Sequence, residues 1–242
     1  MKDHFAGPAF LPWQRMGNLN SFGGPLPIGW TKFTLDLQHK ILTRMRGLGM
    51  TPVLPAFSGF VPTAFEVHYP KSKFHHESWM WFNQTVMLDP LDSKFAEIGS
   101  LFIKEYVKEF GETDHVYNCD LYNEMNPDNS TEAYIRESGA AVYKAMLLSD
   151  PKSVWMMQGW LFQSDFWLGN NSARARALLE SVEIGSMIVL DLDSTSDEHY
   201  TQLHSYFGQP FIFNDLNNFG GQMGINGRID GINSLLVEAR NM

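Results

Sequence analysis

Five short, nearly continuous apolar runs constrain this chain more than any other feature; they fall at residues 50–57, 116–124, 154–160, 187–193 and 210–216. A strand that is apolar at almost every position must be covered on both faces, as in a parallel sheet flanked by helices. Segments with helical spacing separate the runs. Residues 34–48 place Leu35, Leu37, Ile41, Leu42, Met45 and Leu48 on one side and stop at Gly49. Residues 92–110 repeat the pattern with Phe95, Ile98, Leu101, Phe102, Tyr106 and Phe110, and stop at Gly111. Glycine just past a helix releases the chain because it tolerates the left-handed backbone of a C-terminal cap. Residues 130–148 and 172–182 predict two further helices opening on Ser130 and Ser172, a capping residue type.

This alternation of strand and helix predicts an α/β fold of the (β/α) repeat kind. A closed eight-stranded barrel takes about 250 residues. Five strands, or six with 9–13, are too few to close one. The expectation is therefore a partial (β/α)8 TIM-type barrel with about five of the eight strands present. An open barrel leaves two unpaired edges, so the isolated chain is expected to aggregate or pack loosely. The first 30 residues, rich in Pro and Gly, read as a long structured loop.

Charge and cysteine narrow the function. Lys and Arg total 18 against 27 Asp and Glu, a formal charge of −9. With no basic cluster, a nucleic-acid partner is excluded. No apolar stretch approaches the ~20 residues of a membrane helix. Cys119 is the single cysteine, which excludes an intrachain disulfide or a cysteine-based zinc site. The start Met1-Lys-Asp-His-Phe-Ala-Gly-Pro8 has no apolar core of a signal peptide. Aromatic residues are abundant at 14%, and their flat faces suit sugars as well as protein cores.

Chemistry concentrates at the predicted strand ends. Asn123 and Glu124 close the run 116–124, where parallel barrels carry their catalytic groups. Leu121, Tyr122 and Met125 flank Glu124, so desolvation is expected to raise its pKa and suit it to general-acid work. A carboxylate buried by ion pairing or capping the next helix fits the same residues. Asn123 offers a donor and an acceptor to a sugar substituent. Trp160 closes the run 154–160, Phe219 follows the last run, and Trp13, Trp79 and Trp81 fall in predicted loops. One carboxylic acid among amides and Trp side chains is what a glycosidase requires, although any single Trp can equally be packing.

Two other signals compete. Ile188-Val-Leu-Asp191-Leu-Asp193-Ser-Thr195 matches the apolar-Asp-x-Asp-x-Thr pattern of magnesium-dependent phosphatases, with Asp191 as nucleophile and Asp193 as acid/base. That motif normally opens its domain, whereas here it lies near the end of the sequence. The histidines His75, His76, His199 and His204 lack the spacing that presents two imidazoles to one zinc, and they read as surface or loop residues. No metal or other cofactor is expected.

Longer strings carry a resemblance. Gly7-Pro-Ala-Phe-Leu-Pro-Trp-Gln-Arg-Met-Gly-Asn18, Gly24-Pro-Leu-Pro27, Gly49-Met-Thr-Pro-Val-Leu-Pro-Ala-Phe57, Tyr122-Asn-Glu-Met125, Gln158-Gly-Trp-Leu-Phe162, Leu190-Asp-Leu192, Gly208-Gln-Pro-Phe-Ile212 and Asn218-Phe-Gly-Gly221 run in collinear order. They resemble the α-N-acetylglucosaminidase family, glycoside hydrolase family 89. The resemblance implies removal of terminal non-reducing α-linked N-acetylglucosamine, in animals from heparan sulfate in the lysosome, by a retaining mechanism with two glutamates. Glu124 matches the acid/base and Asn123 the adjacent asparagine. Trp13, Trp79 and Trp160 match aromatic positions lining the pocket. Asn217 stands where animal members carry His, and Phe213 replaces a Trp.

The resemblance further implies that residues 1–242 form an incomplete catalytic barrel domain. The small domain and strands before it, the last strand and the C-terminal helical domain have no counterpart here. The motif of the family's nucleophilic glutamate is not found, and Glu238, in a helical stretch, does not match it. The partner implied is a glycosaminoglycan or other glycan with a terminal N-acetylglucosamine, without nucleic acid or membrane, and with a homo-oligomeric parent left open. An inactive sugar-binding remnant would keep the same Trp and amide wall. Asn83-Gln-Thr85, Asn129-Ser-Thr131 and Asn170-Asn-Ser172 are glycan acceptor triplets, consistent with a secretory or lysosomal parent.

Overall fold

The computed structural model describes residues 28–79, 82–111, 114–122, 124–215 and 229–242. The predicted strand at 9–13 and residues 1–27 of the predicted loop lie outside them; residues 28–30 of that loop begin a helix instead. Five strands hydrogen-bond in the order β1 (Leu54–Pro55), β5 (Val116–Asn118), β6 (Val154–Gln158), β7 (Met187–Asp191) and β8 (Phe211–Phe213). The pairs β6–β7 and β7–β8 are parallel, with Trp155 opposite Met187 and Val189 opposite Phe211. Strands added in chain order, with no reversal, are barrel winding; a doubly wound sheet reverses at a switch point. The chain divides into two compact units, Met1–Tyr117 with Lys144–Ser153, and Asn118–Tyr143 with Val154–Met242.

The first unit contains α1 (Ile28–Gly47), β2 (Phe60–Val61), α2 (Ala64–His68), β3 (Phe74–Trp79), β4 (Phe82–Leu88) and α3 (Ser93–Phe110). α3 begins where the Asp92 side chain accepts the Lys94 N–H at 2.8 Å and stops at Gly111, whose φ is 76°. One face buries Phe95, Gly99 and Ile103, and a Cβ added at Gly99 would stand 2.9 Å from Ala145 Cβ. α1 starts before residue 34 and ends as expected before Gly49, at φ 73°. Of its predicted apolar face only Leu42 is buried; Leu35, Leu37, Ile41 and Leu48 remain exposed.

A three-stranded antiparallel sheet, β2–β4–β3, corrects the sequence reading, which left this region as loop. Trp79 therefore ends a strand, with Phe82 opposite it in register; Trp81 lies outside the described residues. His75 is buried on β3 with Nε2 2.8 Å from Asp89 Oδ2, and exposed His76 pairs with Glu66 at 2.7 Å. Burial on β3 corrects the surface-or-loop reading for His75, whereas His76 is a surface residue as expected.

The second unit alternates β6, α5 (Asp165–Leu179), β7, the short helices α6 (His199–Gln202) and α7 (His204–Phe207), β8 and α8 (Ile229–Asn241). It also holds most of α4 (Glu132–Leu147). Its core is aromatic: Trp155, Phe162, Trp167, Tyr200 and Tyr206 are all fully buried. Trp155 Nε1 donates to the Cys119 carbonyl at 2.8 Å, so this large side chain is buried without stranding its polar atom. His199 is buried too, correcting its reading as a surface residue.

Helix starts also move. α5 opens at Asp165, where the Ser164 side chain accepts the Phe166 N–H at 3.2 Å, and Ser172 lies inside it at a left-handed kink. α4 opens at Glu132, and it is Thr131 Oγ1, not Ser130, that accepts a helix N–H, from Tyr134 at 3.4 Å. Among the described residues no helix is long and apolar enough to cross a membrane.

Candidate functional site

The candidate site lies in the second unit, in the loops leaving the C-terminal ends of its strands. β5 stops at Asn118, six residues earlier than Glu124, because Leu121, Tyr122 and Met125 are buried as parts of a folded loop. Met125 N–H donates to the Tyr122 carbonyl at 3.0 Å, a turn that carries Glu124 at its tip. Glu124 is exposed, so its apolar neighbours do not enclose the carboxylate as the sequence suggested.

β6 stops at Gln158, and residues Gly159–Gln163 form a 3-10 turn that buries Leu161 and Phe162 and leaves Trp160 half-buried. From this turn Trp160 Nε1 donates to Glu124 Oε1 at 2.9 Å. Gly159 permits the approach: a Cβ there would meet the Leu190 carbonyl oxygen at 3.1 Å and Val189 Cγ1 at 3.5 Å. The turn thus rests against β7 and aims its indole at the carboxylate.

The remaining strand-end loops are tied in the same way. Gln163 Nε2 donates to Asp197 Oδ2 at 2.6 Å, joining the loops after β6 and β7. Thr195 Oγ1 donates to Asp215 Oδ1 at 2.8 Å, joining those after β7 and β8. Ser194 N–H donates to the Asn214 carbonyl at 2.9 Å, and Asn214 N–H returns to Ser194 Oγ at 3.1 Å. The sequence reading missed Gln163 and Asp197 and met Thr195 only in the phosphatase-like pattern; the available signal was a polar residue soon after each apolar run.

Of the expected site residues, the structure brings Glu124 and Trp160 together. The Trp79 backbone belongs to β3 in the other unit. Trp13, Asn123, Asn217 and Phe219 lie outside the described residues.

Asp191 does not suit the phosphatase reading. It is 1% exposed at the end of β7, and burial pushes its carboxyl above the ordinary range, whereas a nucleophilic carboxylate must be ionised and reachable. Asp193 is half-buried in the following turn. Among the described residues no three His, Cys, Asp or Glu side chains gather to hold a metal ion.

A sheet that adds strands in chain order, with a carboxylate and an indole meeting in the loops beyond its C-terminal ends, is the arrangement of a (β/α)-barrel enzyme domain. The chain belongs to the alpha-N-acetylglucosaminidase (NAGLU) family: the model of that family's TIM-barrel domain matches residues 1–242. It is 46% identical over 240 residues to human alpha-N-acetylglucosaminidase, covering 96% of this chain and 32% of the human protein. A family 89 glycoside hydrolase from Clostridium perfringens, solved with 2-acetamido-1,2-dideoxynojirmycin, superposes with a TM-score of 0.82 at 26% identity. That match covers 99% of this chain and 26% of the bacterial one. A Clostridium perfringens variant with two glutamates changed to glutamine, bound to its substrate GlcNAc-alpha-1,4-galactose, gives the same TM-score at 25% identity and the same coverage. The phosphatase reading is overturned by this membership, since Asp191 lies on a strand of this family's barrel domain.

Proposed function

We propose that this chain supplies the acid/base half of a retaining α-N-acetylglucosaminidase, with Glu124 protonating the glycosidic oxygen as the bond breaks. The observation that carries the reading is the Trp160–Glu124 hydrogen bond, which fixes a carboxylate in the loop after β5 of a family barrel. In a retaining glycosidase a second carboxylate, about 5–5.5 Å away, attacks the anomeric carbon. That group belongs to a family motif that these 242 residues do not contain, so turnover is a property of the assembled parent. An indole N–H on one carboxylate oxygen orients the group for proton transfer. Water re-enters at the anomeric carbon in the second step, with the same glutamate now acting as base.

The substrate class is a glycan ending in α-linked N-acetylglucosamine, in keeping with the disaccharide bound by the bacterial neighbour. Asn123, Trp13 and Trp79 are assigned to sugar contacts by their match to family positions, and Asn217 by standing where animal members carry His. Heparan sulfate as the physiological polymer and the lysosome as the compartment follow from the same resemblance. The test uses a full-length enzyme carrying this segment. Glu124→Ala is expected to abolish turnover of substrates with poor leaving groups while sparing glycosyl-enzyme formation from an activated aryl glycoside, which needs little protonation. Equal losses on both substrates would remove Glu124 from the acid/base role.

A further inference from the structure

Register and burial sort the side chains of β6, β7 and β8 onto two faces. Paired residues of neighbouring strands point the same way, and successive residues alternate. Trp155 and Met157 on β6 pair with Met187 and Val189 on β7, and all four are fully buried. Phe211 and Phe213 pair with Val189 and Asp191 and share that face, where Phe211 stacks on Tyr200 of α6 at 5.9 Å. This is the face the helices cover. The opposite face carries Met156, Gln158, Ile188, Leu190 and Ile212, all half-buried or exposed. In a barrel it becomes the interior.

Among these five residues Gln158 alone is polar. It stands at the C-terminal end of β6, on the rung Gln158–Leu190–Ile212, and directly precedes the turn whose Trp160 indole reaches Glu124. Gln158 occupies the N-cap position of that turn, yet its side chain makes no capping bond. Local structure therefore does not account for an amide turned to the barrel interior. A carboxamide offers both a donor and an acceptor, and beside Leu190 it needs a polar partner. Glu124 and Trp160 belong to the loops beyond the strand ends, whereas Gln158 belongs to the strand itself, one level deeper. In a site that accepts a chain end, the deepest position receives the terminal ring and the polymer leaves toward solvent.

We propose that Gln158 binds the terminal sugar of the substrate, its carboxamide exchanging hydrogen bonds with a ring hydroxyl or the acetamido group; this rests on the hydrolase reading above. The experiment is titration calorimetry on the full-length parent with two probes. One is 2-acetamido-1,2-dideoxynojirmycin, and the other is its counterpart bearing a hydroxyl in place of the acetamido group. Gln158→Met keeps the length of the side chain and removes its donor and acceptor. It is expected to weaken binding about 3- to 10-fold, as for the loss of one neutral hydrogen bond, with Tm little changed. Loss on the first probe alone assigns the acetamido group as the partner, and loss on both assigns a hydroxyl. Affinity for both probes equal to that of the wild type overturns the proposal and leaves Glu124 in its role. A wild-type parent that binds neither probe overturns both readings. Binding needs no turnover, so a failed assignment of Glu124 as the acid leaves this readout untouched. A crystal of the wild-type parent with the first probe reports even where the variant folds poorly. There the Gln158 carboxamide should lie at hydrogen-bonding distance from a sugar substituent, and a carboxamide turned away from the ring overturns the proposal.

Discussion

Trp160 and Glu124 meet through a 2.9 Å hydrogen bond between residues that follow two neighbouring strands. If Glu124 is the acid proposed above, Trp160 is a positioning residue for its carboxylate as well as a candidate sugar contact. Trp160→Phe keeps most of the aromatic face and deletes the donor. A hydrogen bond to a charged group is worth about 1.5–3 kcal/mol when sheltered, and exposure here reduces that. In the full-length enzyme kcat on a poor leaving group is expected to fall about 3- to 10-fold, with KM little changed. A rise in KM with kcat intact would show that Trp160 only binds sugar.

Gly159 sets the position of that indole. Gly159→Ala brings a methyl to 3.1 Å from the Leu190 carbonyl oxygen, and the strand end cannot yield without losing its pairing to β8. Overpacking of this kind costs about 1–3 kcal/mol. The expected result is a lowered Tm together with a fall in kcat like that of Trp160→Phe. A crystal structure of the variant with the Trp160–Glu124 distance unchanged would contradict the linkage.

The repeating units were legible because strands covered on both faces leave nearly unbroken apolar runs, and all five runs contain a strand of the sheet. The ends were not legible. Burial alone produces the same signal as a strand, so Leu121 and Tyr122 extended the predicted β5 into a loop, and Leu161 and Phe162 belong to a turn. The β3–β4 pair was missed because Phe74-His-His-Glu77 alternates poorly: His75 is a polar residue buried against Asp89, while His76 is exposed and pairs with Glu66. Glu124 itself was found by its position after an apolar run. The apolar enclosure expected around it failed because its neighbours turn inward while it turns out.

Acid sensitivity of the first unit follows from two carboxylates. Asp89 Oδ2 lies 2.8 Å from His75 Nε2 and 2.6 Å from Lys73 Nζ, and its Oδ1 accepts the Leu91 N–H at 2.8 Å. Burial opposes ionisation, but these partners outweigh it and hold the carboxyl well below the usual range. Asp150 is also lowered: burial is again the opposing influence, and His115, Tyr117 and the Lys152 N–H overcome it. A depressed native pKa contributes stability that is complete above the unfolded value, about 3.9, and is lost as pH falls through the native one. Unfolding by urea should therefore become easier below about pH 4. Asp89→Asn should flatten that acid limb and cost about 3 kcal/mol at neutral pH, the usual result of breaking a buried pair. A variant whose acid limb parallels the wild type would rule Asp89 out as its source.

Cys119 reports on whether the second unit packs as a unit on its own. Its backbone N–H donates to the Met156 carbonyl at 3.1 Å, its carbonyl accepts Trp155 Nε1, and the residue is 1% exposed. Burial pushes the thiol pKa far up, and the neighbouring Asp120 charge adds to this. Thiolate is the reactive form, so a disulfide reagent reaches Cys119 only through an opening of this core. In the isolated chain labelling at neutral pH is expected to be on the order of 100-fold slower than in denaturant, where one thiol per chain reacts promptly. Trp155→Phe, which removes the hydrogen bond to the Cys119 carbonyl, should accelerate labelling about tenfold, in proportion to roughly 1.4 kcal/mol of lost protection. Prompt labelling of the wild-type chain in buffer would instead mean that this core opens freely.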